Sequence, residues 1–348
     1  MKALILSGIP WNTTLQRHHK IAKWLKQLNF DVTFVEGIPS SKFTIKKFFV
    51  KIKSKIINSN STIENKKYVK VVNGGFLPPN KCFYLYNRFK IKKLLNILDE
   101  EYDIIINYLP IQTTDMIINS IKYKSLIYDC VRDFSNFGGY LKNTLKYENK
   151  LIKKSNIILT DSYYLTNKFG GEQILPSLSL EQYKVFKTKV RPKTISKVLY
   201  FGGIGEHIDL DVLKLISQKY EFHFIGRTGV NLDFNYVDHG YFSDPIELAK
   251  EIIKCDAIII PYKGNMNGVI PAKFVEAIAS NLPVFIKSFY DSEKLKNLCY
   301  VYKDNDELIS MIDNYSPNDL NNEEISTFVL ENLEENQFEK FKSIIQKL

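Results

Sequence analysis

The chain has 348 residues, 45% of them apolar, which is enough to fill two separate domain cores. Lysine and arginine outnumber aspartate and glutamate by 48 to 38, and the resulting net charge of +10 favours anionic partners: a nucleotide-sugar, an acidic membrane or a nucleic acid. The cysteines at 82, 130, 255 and 299 have neither CxxC nor zinc spacing, and no apolar run approaches about 18 residues, so no zinc site and no membrane-spanning helix is expected.

Lys2–Ser7 reads as a buried parallel strand, and the turn Gly8–Asn12 leads into a helix over Thr13–Leu28. The apolar start could pass for a short signal core. However, the polar run from Asn12 and the lack of a small-residue cleavage site argue for a strand in a protein of a reducing, cytoplasmic compartment. With a strand over Asp31–Val35 this opens a doubly wound α/β domain, in which ligands bind beyond the carboxyl ends of the strands. Trp11, Arg17, His18 and His19 fall there. Trp11 and Arg17 are candidates for binding a ligand there and His18 for a catalytic group, and under the family resemblance given below this is the acceptor side. The alternative for His18 and His19 is that they are solvated surface residues.

Residues 42–56 keep Ile45, Phe48, Phe49, Ile52 and Ile56 at helical spacing, with Lys46, Lys47 and Lys51 among the lysines between them. Such a basic amphipathic helix suits an anionic membrane surface. It equally suits a helix that covers the sheet with its stripe buried. Residues 57–81 read as an irregular, mobile loop. A helix over Arg88–Leu98 and strands over Asp103–Asn107, Leu126–Cys130 and Asn156–Thr160 follow. Asp129 and Asp133 stand at the end of the second of these strands and are candidate general bases.

Residues 177–196 are polar and basic and read as a linker. Lys197–Phe201 begins a second unit, and the Gly202, Gly203, Gly205 cluster makes a turn whose N–H groups suit phosphate. Asp209-Leu210-Asp211 looks like a metal-binding D-x-D, but its place at a helix start favours capping. Arg227 follows a strand end and suits a diphosphate.

The most informative stretch is 255–286: a buried strand ending at Pro261, a loop with Gly264 and Gly268, and a helix opened by Pro271 and closed by Asn281 in the left-handed conformation. Lys273 and Glu276 sit on its first two turns. A cation at a helix N-terminus suits a diphosphate, and a carboxylate one turn on suits a pair of ribose hydroxyls. An ordinary solvated Lys–Glu pair is the alternative.

Pro261-Tyr262-Lys263, followed by Pro271 to Val284, resembles the donor-binding signature of GT-B glycosyltransferases. Asn281 stands where that family usually has Gly, and Gly268 where retaining members carry a first Glu. Tyr128 to Phe134 is similar to a segment of a bacterial subgroup that builds cell-surface polysaccharides, with Arg132 in place of one Asp. The resemblance implies an α/β fold of two Rossmann-like domains with an interdomain cleft: an acceptor-side domain over 1–176, a donor domain over 197–325, and a terminal helix over 326–348 crossing back. It implies Lys273 on the donor diphosphate, Glu276 on the ribose, and Tyr262, Lys263, Asn267, Gly268, Val269 and Ile270 around the donor. It also implies a metal-independent transferase without cofactor, using a UDP- or GDP-linked sugar and a glycan or lipid-linked acceptor. A sugar-nucleotide epimerase of the same fold and a non-enzymatic anion-binding protein are the alternatives. Nucleic acid is not an expected partner, since no RNP, helix-turn-helix or zinc signature is present.

Overall fold

The computed structural model describes residues 1–13, 15–40, 69–136 and 143–348, and the backbone of 63–66. The basic stretch 42–56, with Phe48, Phe49, Lys46, Lys47 and Lys51, therefore lies outside the described residues. The chain forms two compact units, one of Met1–Thr160, Leu165–Glu172 and Ile344–Leu348, the other of Asp161–Tyr164 and Gln173–Ser343.

The first unit is built on strands β1 (Lys2–Leu6), β2 (Asp31–Glu36), β3 (Ile63–Lys66), β4 (Val69–Asn73), β5 (Glu101–Asn107), β6 (Lys122–Cys130), β7 (Ile157–Thr160) and β8 (Glu172–Gln173). Their order is β3-β4-β2-β1-β5-β6-β7-β8. The ladder from β4 to β7 is parallel, and β3 alone runs antiparallel to β4. Ala3, Leu4, Ile5 and Leu6 are fully buried, as expected of a central strand covered on both faces.

Strands β3 and β4 correct the expectation of an irregular loop over 57–81. Val69, Val71 and Val72 are buried, and β4 extends the sheet beside β2. The Lys66-Lys67 pair just before it and Gly74-Gly75 just after hide a five-residue strand in a polar composition.

The second unit carries a six-stranded parallel sheet in the order β11-β10-β9-β12-β13-β14. Its strands are β9 (Lys197–Phe201), β10 (Glu221–Ile225), β11 (Val237–Asp238), β12 (Ala257–Ile260), β13 (Val284–Lys287) and β14 (Tyr300–Tyr302). The segment expected as a linker holds the helix Leu180–Phe186, capped by Ser179, and belongs to this unit. Asp209 is a helix cap, its carboxylate accepting the N–H of Asp211 and Val212 at 3.2 and 3.4 Å. The stretch after Asn321 forms two helices, Asn322–Glu331 and Glu334–Ile345.

Helix Ala272–Ala279 buries Phe274, Val275, Ala277 and Ile278. It ends in Asn281 at φ 60°, whose side-chain amide donates to the Lys189 carbonyl at 2.8 Å. Replacing Asn281 by Ala places a Cβ in the left-handed region and deletes that bond, at a joint cost of about 2 kcal/mol. Asn281→Gly removes only the bond. Chemical denaturation should show the Ala variant losing more than the Gly variant; equal losses would mean that the backbone conformation is not the cause.

Candidate functional site

The second unit gathers its candidate residues at the carboxyl ends of β9 and β12. Tyr200, on β9 and fully buried, donates its hydroxyl to the Gly203 carbonyl at 3.0 Å and accepts from Lys273 Nζ at 2.8 Å. The Lys273 nitrogen lies 4.0 Å from the Tyr200 ring centre and within 6.0 Å of those of Tyr262 and Phe201. Gly202, at φ 120°, makes this possible: a Cβ there would stand 2.6 Å from Lys273 Nζ. Of the glycines after β9, packing therefore demands Gly202, while Gly203 has room and Gly205 lies beside the His207 ring.

Lys273 is half-buried as a residue, and its ammonium lies among these rings. Burial pushes its pKa from 10.5 down to about 7, against a smaller upward pull from Glu276. The helix it belongs to starts at Pro271, which offers no side-chain cap to the first N–H groups. A cation held only partly charged, beside uncapped helix N–H groups, is a receptive setting for an anion.

Glu276 sits one turn on, and its Oε1 accepts from Gln182 Nε2 at 2.9 Å. The Gln182 amide is itself oriented, because its Oε1 accepts from Ser179 N–H and hydroxyl in a capping box. The carboxylate is thus held from outside its own helix.

The loop after β12 is pinned at several points. Lys263 N–H donates to the His207 carbonyl at 3.0 Å, and Asn267 Oδ1 accepts from Tyr290 N–H at 3.0 Å. Gly268 has φ 83°, a conformation unfavourable to glutamate, so the missing first Glu matches the backbone of this turn. Ile270 and Tyr262 are buried and Val269 is half-buried. Arg227 is exposed, its guanidinium 4.1 Å from the centre of the Tyr241 ring. Its carbonyl accepts from Ile204, which sets it beside the glycine turn.

Four residues here escaped the sequence reading: Tyr200, Gln182, His207 and Asp291. His207 is exposed near Tyr262, and burial followed by the charge of Lys273 lowers its pKa. Asp291 is fully buried and accepts Tyr164 N–H at 3.1 Å. Burial raises its pKa, opposed by the N–H groups of Tyr164, Tyr163 and Gly268.

The first unit brings Trp11, Arg17, His18, His19 and Asp129 to the ends of β1 and β6. Arg17 Nε donates to both oxygens of the fully buried Asp129 at 3.0 Å, and Nη2 lies 2.9 Å from Oδ1. His18 lies against Tyr108 with ring centres 3.6 Å apart, and burial pushes its pKa to about 3. Among the described residues, its Nδ1 has no hydrogen-bond partner. The surface alternative for both histidines is thereby corrected: each is buried, and His19 packs between Trp11 and Phe34.

Asp133 is also fully buried. It accepts from Ser135 N–H and hydroxyl, from Asn136 Nδ2 and from Lys168 Nζ at 2.6 to 2.9 Å. Those four donors hold the carboxylate as the anchor of its own loop.

No protein-family model and no curated protein matches the sequence. Solved structures match it over its whole length. HepE from Anabaena, in complex with UDP, has 11% identity and a TM-score of 0.65, covering 100% of both chains. A glycosyltransferase from Rickettsia africae has 14% identity and a TM-score of 0.63, covering 99% of this chain and 98% of its own. An E. coli trehalose-6-phosphate protein bound with UDP-2-fluoro glucose has 10% identity and a TM-score of 0.65, covering 99% of each chain. The chain has the GT-B fold, two Rossmann-like α/β units.

The depressed pKa of Lys273 makes stability depend on pH. Between about 7 and 10.5 the folded protein binds fewer protons at this group than the unfolded chain does, so its contribution to stability rises with pH across that window. Lys273→Met should therefore raise the melting temperature of the ligand-free protein most at neutral pH, by an amount that shrinks towards pH 10.5. A pH-independent difference would place the ammonium in solvent.

Proposed function

We propose that the chain is a glycosyltransferase that moves a sugar from a nucleotide diphosphate donor, a UDP-sugar in the first instance, to a glycan or lipid-linked acceptor in cell-surface polysaccharide synthesis. The observation that carries the proposal is Lys273 Nζ enclosed at the glycine turn after β9, one helical turn from the Gln182-held carboxylate of Glu276. This pairing suits a ligand with a diphosphate at one end and a ribose at the other. The choice of UDP is supported by structures of the same fold that hold UDP or a UDP-sugar.

In this reading Lys273, Arg227 and the start of helix Ala272–Ala279 face the diphosphate. Negative charge grows on the leaving phosphate as the glycosidic bond breaks, so a cation fixed at that point stabilises the transition state more than the ground state. Among the described residues, no group of three His, Cys, Asp or Glu side chains could hold a metal ion. The proposal assigns the neutralising role to these protein groups.

For the acceptor, the three candidates differ in what is left open on them. Asp133 is saturated by its own loop and Lys168, and Asp129 is clamped by Arg17. His18 is neutral and presents a nitrogen without a partner among the described residues. We assign His18 to the acceptor hydroxyl, and Asp129 to positioning the Arg17 side chain beside it. With its pKa near 3, His18 should contribute no inflection to the rate profile between pH 5 and 8.

The deciding experiment is incubation with a panel of nucleotide-sugars, scoring nucleoside diphosphate release with and without candidate acceptors. A transferase releases UDP, and an acceptor accelerates the release. An epimerase converts the sugar without stoichiometric release, and a binding protein does neither. Lys273→Ala should lower kcat by roughly 10²-fold or more, whereas Glu276→Ala should act chiefly on the donor KM. UDP affinity should fall as pH rises above about 7, where Lys273 loses its proton, and Lys273→Met should flatten that dependence. Wild-type kinetics in both variants would move the donor elsewhere.

A further inference from the structure

We propose that the first unit carries a surface that docks on an anionic lipid bilayer, formed by the helices Tyr84–Leu95 and Thr144–Lys154. The first of these helices buries Ile91 and Leu94 but also shows an inversion of polarity in its first half. It buries Asn87 and Lys90 while leaving Leu85 74% and Phe89 53% exposed, one turn apart on the same side. Asn87 is committed inward, its side-chain amide bonding both the N–H and the carbonyl of Leu77. The outward apolar residues are therefore a fixed feature of the fold. Tyr84 and Tyr86 are exposed beside them, and Leu145 at the start of the second helix is 46% exposed.

The charge around these residues is predominantly positive. Exposed Lys81, Arg88, Lys92 and Lys93 lie on or just before the first helix, with no acidic residue between Gly74 and Leu98. Exposed Lys146, Lys150, Lys153 and Lys154 lie on the second, whose one acid, Glu148, is buried on the Tyr128 hydroxyl at 2.7 Å. The helix Gln112–Ile118 packs against both, which makes the two helices neighbours in this unit. Asp115 on that helix lies 3.6 Å from Lys150 and 3.7 Å from Lys154.

Large apolar side chains ringed by flexible cations match the boundary between anionic headgroups and acyl chains. A phosphate-lined nucleic-acid surface would use the cations but would offer nothing to Leu85 or Leu145. No described helix is long and apolar enough to cross a membrane, so the contact is peripheral, reversible and weakened by salt. The inference stands apart from the donor chemistry and does not use residues 42–56.

The fold supplies its own reporter. Cys82 is exposed at the edge of this surface, and the other three cysteines are buried. An environment-sensitive dye on Cys82 of the full chain, with vesicle co-sedimentation, reads the contact directly. Phosphatidylglycerol-containing vesicles should pellet the protein and shift the dye emission to the blue, and neutral phosphatidylcholine vesicles should do neither. Leu85→Ser with Phe89→Ser, and separately Arg88→Glu with Lys92→Glu and Lys93→Glu, should each lower partitioning by at least about tenfold. Thermal unfolding and UDP binding should stay unchanged. Four outcomes would overturn the proposal: no binding, binding indifferent to lipid charge, full binding by both variants, which would leave the contact to another segment such as 42–56, or capture by heparin or RNA but not by vesicles.

Discussion

The enclosure of one ammonium group sets the terms for the second unit. Lys273 Nζ is surrounded by the rings of Tyr200, Tyr262 and Phe201, and the Tyr200 hydroxyl is 2.8 Å away. Enclosing a cation in this way disfavours its charged form, and a pKa near 7 is the measure of that penalty. The arrangement requires Gly202 to have no side chain, Tyr200 to donate its hydroxyl hydrogen bond to the Gly203 carbonyl, and helix Ala272–Ala279 to begin where it does. An anion reaching the glycine turn would restore the proton and relieve the penalty. A group that is costly to the empty protein thereby becomes favourable to the bound one.

Around this centre, ordinary structural devices hold the polar groups. Ser179 and Gln182 form a capping box, and the amide of Gln182 that remains turns to Glu276. Asp291 accepts the N–H of Tyr164 next to a buried turn whose Gly268 adopts a positive φ. In each case a residue that completes a local motif also fixes a side chain or loop distant in sequence. Glu276 is accordingly oriented by a helix more than ninety positions earlier in the chain.

This explains which parts of the protein could be read from its sequence. The alternation of apolar runs with amphipathic helices announced both parallel sheets, because a strand covered on both faces has to be apolar throughout. Asp209 was legible as a cap and Asn281 as a helix terminator, since both act on their immediate neighbours. Tyr200 was not legible, because an aromatic residue in a strand looks like any core residue until its hydroxyl is seen to meet Lys273. Gln182 was hidden in a polar stretch that reads as a linker, and Asp291 in a short helix of no evident pattern. The strand Val69–Asn73 was obscured by the lysines and glycines that bracket it.

The first unit shows the same limit from the opposite side. Its sequence placed Asp129 and Asp133 correctly at the carboxyl end of β6, where α/β sheets gather their ligands, but position does not fix role. A fully buried carboxylate needs a partner, and the fold supplies Arg17 to one and Lys168 with a ring of loop donors to the other. Those partners occupy the carboxylate oxygens. His18 differs in what is left open: burial keeps it neutral, and among the described residues Nδ1 has no hydrogen-bond partner. In the proposed reading a hydroxyl brought to that nitrogen would supply a hydrogen bond to a buried polar atom, just as a diphosphate at the glycine turn would restore the proton of Lys273.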